Sequence, residues 1–119
     1  MADAEWLRWK PELAKACDGS HFTIEGIEAN LQAGFWRLLA HDDCCYVAEI
    51  QTYPAQVTCT LWFVAGDIPA LIAGLPDVEA WAKLNGCREM LIEGPMGWKR
   101  VLAPLGYAPW SITLRKGLV

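Results

Sequence analysis

Two carboxylates stand where a strand could present them to chemistry: Glu49, inside the run from Cys44 to Tyr53, and Glu93, at the end of the run from Cys87 to Glu93. A carboxylate fixed on a strand can move protons. The simpler reading of each is an edge or solvent-facing side chain. Gly97-Trp98-Lys99-Arg100 opens a helical stretch, and the free N–H groups of a helix start, with two cations beside them, can bind an anion. The competing reading is a solvated basic face anchored by Trp98. His41-Asp42-Asp43 invites a metal, but consecutive ligands in a tight turn diverge and no second cluster completes a site. His21 stands between Ser20 and Phe22 with no evident partner, so a Ser-His or Cys-His nucleophile pair has no support in the sequence. Cysteines 17, 44, 45, 59 and 87 are odd in number and lack a Cys-x-x-Cys spacing, so they read as reduced, mostly buried hydrophobes.

The elements that would carry these residues can be read from periodicity. Trp6, Trp9, Leu13 and Ala16 recur at helical spacing between Ala2 and Cys17, with Pro11 in a first turn or at a kink, and Asp18-Gly19 as a stop. Thr23 is the N-cap of a second helix, with Ile24, Ile27 and Leu31 on one face and Gly34 at its end. Phe35 to Ala40, Cys44 to Tyr53 and Val57 to Val64 then read as three strands joined by short connectors, hence as antiparallel neighbours. In the third, strict alternation puts Val57, Cys59, Leu61 and Phe63 on one face and Thr58, Thr60, Trp62 and Val64 on the other. Beyond Gly66-Asp67 the pattern predicts helices over Ile68 to Ala73 and Pro76 to Asn85, with Gly86 as the C-terminal cap. A strand over Cys87 to Glu93, a helix over Gly97 to Leu105 and a last strand over Trp110 to Leu114 complete the order. The later strands need crossovers, so the expected fold is one α/β domain: a mixed, mostly antiparallel sheet flanked by helices, with an N-terminal helical pair.

This order, with Ala82 to Gly86 as Ala-x-x-x-Gly ahead of a strand and Leu105-Gly106-Tyr107 closing a helix, resembles the C-terminal half of the GNAT superfamily of acyl-CoA-dependent N-acyltransferases. Glu79-Ala80-Trp81-Ala82-Lys83, Gly86-Cys87 and Gly94-Pro95-Met96-Gly97-Trp98-Lys99-Arg100-Val101-Leu102 are similar to small GNAT-like proteins encoded by tailed phages and prophages. The resemblance implies acetyl-CoA or CoA as cofactor, entering a splay between the strand at Val57 to Val64 and the strand at Cys87 to Glu93. Backbone groups around Trp62, Phe63 and Val64 would hold the pantetheine, and Gly66, Asp67, Ile68 and Ala70 would form the phosphate turn. Gly97, Trp98 and Arg100 are further contacts. Glu49 would be the base for an amine, and Tyr107 is a second catalytic candidate whose position matches a packing aromatic of the family.

Departures from the family pattern accompany the matches. The family's pyrophosphate turn, Arg/Gln-x-x-Gly-x-Gly/Ala, falls near Ala65 to Ala70, where Ala65 replaces the Arg/Gln and Ile68 the first Gly. A branched side chain there crowds a phosphate, and Asp67 repels it. Leu102 occupies the position of the tyrosine that protonates the leaving thiolate in many members, and Pro95 replaces an arginine of the phage-type motif.

Length and composition bound the rest. The chain has 119 residues, 54% hydrophobic and 20% charged, with seven Trp, which excludes a disordered chain. A net charge of -4 offers no field for nucleic acid as a main partner. No run reaches transmembrane length and the N-terminus has no signal-peptide pattern, so a cytoplasmic or virion-associated protein is expected. The leading expectation is a phage or prophage GNAT-like protein with a degenerate acyl-CoA site, acting as an accessory or virion-associated module without metal. The alternatives are an active N-acetyltransferase with an atypical loop, and a structural subunit of a homo-oligomer or of a phage assembly. Trp6, Trp9 and Trp110 are its interface candidates.

Overall fold

The computed structural model describes residues 3–94 and 97–119. Pro95 and Met96 of the phage-type motif lie outside the described residues. Helix α1 (Asp3–Ala16) is followed by α2 (Ile24–Gln32), and strands β1 (Arg37–Ala40), β2 (Cys44–Thr52) and β3 (Val57–Gly66) follow in sequence. Helix α3 (Ile68–Leu84), strand β4 (Glu89–Ile92), the short helix α4 (Gly97–Leu102) and a 3-10 turn over Ala103–Leu105 complete the order. The sheet runs β1-β2-β3-β4, antiparallel except for the parallel β3–β4 pair. A parallel neighbour requires a crossover, and α3 supplies it.

Each face of the sheet carries its own core. On one side Trp6, Trp9 and Leu13 of α1 and Ile27 and Leu31 of α2 bury Trp36, Cys45, Val47 and Ala65. On the other, Leu71, Leu75, Val78 and Ala82 of α3 cover Cys44, Tyr46, Ala48, Cys59 and Leu61. The spacing of α1 and α2 predicted these stripes. Thr23 caps α2 as expected, its hydroxyl accepting from the Gly26 N–H at 3.1 Å. The α1 tryptophans are held firmly inside: the Trp6 indole donates to the Glu28 carboxylate, and Trp6 and Trp9 are buried. Neither is available as an interface, and of the three interface candidates only Trp110 is exposed, at 77%.

Three expectations are corrected. The two helices expected over Ile68 to Ala73 and Pro76 to Asn85 are one, with Pro76 inside it. Pro76 is exposed while Leu75 and Val78 beside it are buried, so burial of the apolar stripe outweighs the one backbone bond that proline removes. Pro11 is likewise accommodated inside α1. The strand expected over Trp110 to Leu114 does not form in this chain: residues 107–119 carry no regular structure. Third, strict alternation fails in β3, because Val47 faces Phe63 whereas Ala48 faces Leu61. Trp62 is therefore an extra residue, a β-bulge that reverses the phase of the strand. Cys59, Leu61 and Val64 pack toward α3, while Trp62 and Phe63 both pack toward α1 and α2.

Candidate functional site

The bulge lies where the sheet opens. β3 and β4 pair only from Thr58 with Glu89 to Leu61 with Ile92, after which β3 continues to Gly66 and the other strand ends. The splay expected between these two segments therefore exists, and a cleft of about 630 Å³ fills it, within the range of small-molecule sites. Leu61, Trp62, Phe63 and Val64 form one wall, Ile92, Glu93 and Gly94 the other, and Trp98 and Leu102 of α4 line it from below. The α1–α2 loop adds His21 and Phe22. Trp62, Met90 and Trp98 do not fill the space; Trp62 and Trp98 are its half-buried sides.

An aromatic block fixes the β3 wall. Phe22 meets Trp36 and Phe63 edge-on at centroid separations of 5.5 and 5.4 Å, and Trp36 stacks on Trp62 at 5.9 Å. Such pairs add to the burial of the rings themselves. Glu49 belongs to this block: its carboxylate accepts from the Trp62 indole at 3.0 Å. It stands beside the residue that lines the cleft.

Tyr46 is a cleft residue that sequence reading missed. It is buried, and its hydroxyl donates to the Leu71 carbonyl at 2.5 Å, with the Cys44 thiol 3.7 Å away. Burial raises its pKa, as does the neighbouring Cys44, so the phenol stays protonated. The available signal was Gly74 inside α3, where a Cβ would come within 2.5 Å of the Tyr46 hydroxyl. A glycine within a helix marks such a close approach.

Tyr107 is placed differently. Its hydroxyl donates to Glu79 of α3 at 2.7 Å, and burial followed by that carboxylate raises its pKa. It lines, with Gly97 and Arg100, a separate cavity between α4 and the C-terminal segment. The cysteines also serve packing: burial pushes the Cys45 and Cys59 thiols up to about 12, far from a reactive thiolate. Among the described residues no group of three His, Cys, Asp or Glu side chains is placed to hold a metal ion. Among those residues, too, no helix is long and apolar enough to cross a membrane.

Gly66 ends β3, and Asp67, Ile68 and Ala70 form the start of α3, whose Leu71 lines the cleft. Four N–H groups at a helix start have no partner within the helix and can hold an anion. Here the Asp67 N–H donates to the Asp43 carbonyl at 3.1 Å, and Pro69 has none to give. The Ala70 N–H donates to the carboxylate of Asp67 itself at 3.3 Å. Only the Ile68 N–H is left, beneath a half-exposed isoleucine. The start of α3 is thus neutralised by its own cap. Asp67→Ala should cost about 1 kcal/mol of stability, the usual worth of an N-cap, read as a lower urea midpoint at unchanged slope.

Comparison with solved structures decides the architecture. An acetyltransferase from Trypanosoma brucei superposes with a TM-score of 0.70 at 11% identity, covering 99% of this chain and 96% of its own. A possible acetyltransferase from Clostridium difficile 630 gives 0.63 at 9% identity, covering 98% and 92%, and a protein from Thermus thermophilus gives 0.61 at 15%, covering 94% and 92%. This is a GNAT-type acetyltransferase fold. At these identities the likeness is one of fold. No family model and no curated protein matches the sequence.

Set against the cofactor that a GNAT-type fold implies, the site divides in two. The cleft is wide and mostly apolar enough for a pantetheine arm, and the bulge at Trp62 interrupts the ladder beside it. The phosphate end does not fit, because all of its donors but the Ile68 N–H are absent or already bonded to a carboxylate or a carbonyl. Acyl-CoA as a whole does not match these residues.

Proposed function

We propose that this chain is a GNAT-fold protein whose acyl-CoA site has lost its pyrophosphate seat, and that it serves a phage or prophage as a non-catalytic accessory or virion-associated binding module. The observation that carries the reading is the bond from the Ala70 N–H to the Asp67 carboxylate, with Pro69 between them. A pyrophosphate brought to this helix start would meet one free N–H and one negative charge, where the fold ordinarily offers several donors and a positive dipole end. Leu102 in place of a protonating tyrosine supports the same reading: it is buried and apolar at the cleft. The assignment to phage proteins rests on the resemblance around Glu79 to Lys83, Gly86-Cys87 and Gly94 to Leu102. Incubation with acetyl-CoA and a panel of amines should release free thiol at no more than the rate of a protein-free control. Release that depends on both protein and amine would overturn the proposal.

The open cleft favours one other reading, an acyltransferase with an atypical phosphate contact, in which Glu49 is the base. On that reading Glu49→Gln lowers kcat and leaves cofactor affinity intact. An unchanged kcat would exclude Glu49 from that role.

A further inference from the structure

Charge is segregated along this chain. All 14 Asp and Glu residues lie at or before Glu93, whereas residues 94–119 carry Lys99, Arg100, Arg115 and Lys116 and no acid. Among the described residues no salt bridge neutralises any of these four cations. The fold brings the two halves of this basic stretch together: a cavity of about 840 Å³ has Lys99 and Arg100 of α4 on one side and Ala108 and Pro109 of the C-terminal segment on the other, with Val101 and Ala103 in its apolar lining. The same segment holds large apolar side chains that neither core takes in. Trp110, Ile112, Leu114 and Leu118 are 77%, 84%, 86% and 91% exposed. Trp110, Ile112 and Leu114 alternate with Ser111, Thr113 and Arg115, so an extended chain turns the three to one side. The bond from Tyr107 to Glu79 fastens the root of the segment to α3.

We propose that α4 and the C-terminal segment form a docking surface for an anionic lipid bilayer. Apolar side chains among cations, with no acid between them, are what a surface-lying segment needs: the apolar groups enter the boundary between headgroups and acyl chains, and Lys and Arg stay at the anionic headgroups. Trp110 suits that depth, where its ring leaves water and its indole N–H keeps a polar partner. Backbone groups suit it too. Among the described residues no backbone hydrogen bond outside the regular elements involves residues 108–119, a state the hydrated headgroup layer permits and the hydrocarbon interior does not. The remainder of the chain, which holds every carboxylate side chain, is repelled by the same bilayer, so charge orients the molecule with this end toward it. A nucleic acid would meet the same cations but could stack only on the ring of Trp110, leaving Ile112, Leu114 and Leu118 in water. The surface is separate from the cleft and needs no ligand there.

The test sediments the full chain with vesicles of phosphatidylcholine alone and with vesicles of equal parts phosphatidylcholine and phosphatidylglycerol. The protein should pellet with the anionic vesicles and stay in solution with the neutral ones. Arg115→Gln combined with Lys116→Gln should weaken binding about thirtyfold, each cation near an anionic surface being worth about fivefold. The triple exchange of Trp110, Ile112 and Leu114 for Ser should release the protein from the vesicles and leave its circular dichroism unchanged. Failure to bind the anionic vesicles, or equal binding to both kinds, would overturn the proposal. So would undiminished binding by either variant; if the serine variant alone kept its affinity, the site would be one of bare charge, as a nucleic acid would use. A serine variant that fails to fold would overturn it as well, since the three side chains would then be packed within their own chain.

Discussion

Gly66→Ala should destabilise the protein more than any other exchange of glycine for alanine at a positive-φ position. Gly66 ends β3 at φ +115, a conformation that L side chains rarely adopt, and it pairs with Cys44 at the start of β2. A Cβ there would overlap the Asp43 carbonyl oxygen and lie 2.7 Å from the Cys44 Cα, both backbone atoms that no rotamer can move. The dihedral strain alone is about 1–3 kcal/mol. Relieving the overlap adds to it, because the start of β2 must part from β3 and the Asp67 N–H must lose the Asp43 carbonyl. With about 4 °C of midpoint per kcal/mol for a chain of this size, a loss of roughly 10 °C or more is expected. Gly34→Ala is the control: it too has positive φ, at +82, but nothing lies within 4 Å of its Cβ. Equal losses in the two variants would show that the contact at Gly66 is not as described.

The second large effect is expected at Trp36. Its ring is buried, stacked on Trp62 and capped edge-on by Phe22, so truncation removes both burial and two aromatic pairs. Trp36→Ala should cost about 3–5 kcal/mol, a large share of the stability of an ordinary domain. Because Trp62 forms a wall of the cleft and holds Glu49, the loss should also disturb the site. Trp36→Phe should recover much of the stability by keeping an aromatic face. A urea titration of the three proteins reads both effects, and a Trp36→Ala midpoint close to that of the parent would refute the packing role.

Much of the fold was legible in the residues because the cue was local. Thr23 caps α2, Gly86 and Gly106 end their elements at φ +84 and +92, and the three antiparallel strands lie within a few residues of their expected ends. The splay was legible too, through the order of elements and the GNAT resemblance. What escaped was set by pairing across distance. The bulge at Trp62 depends on how β2 opposes β3, and nothing in the alternation of β3 marks it. Pro76 reads locally as a boundary, but the stripe from Leu71 to Ala82 carries one helix through it. Trp110 to Leu114 has the alternation of a strand, yet residues 107–119 carry no regular structure. Asp67 was read as a repulsive neighbour of a phosphate. The structure makes it more than that, since its carboxylate occupies the donor.

Thermal unfolding with and without CoA and acetyl-CoA tests the loss of the pyrophosphate seat most directly. A ligand at a hundredfold its dissociation constant adds about 2.7 kcal/mol to the stability of the protein that binds it. In a chain of this size that raises the midpoint by roughly ten degrees. With the start of α3 capped by Asp67 and interrupted by Pro69, millimolar cofactor should leave the midpoint where it was. A rise of several degrees with either compound would contradict the reading and favour the acyltransferase alternative.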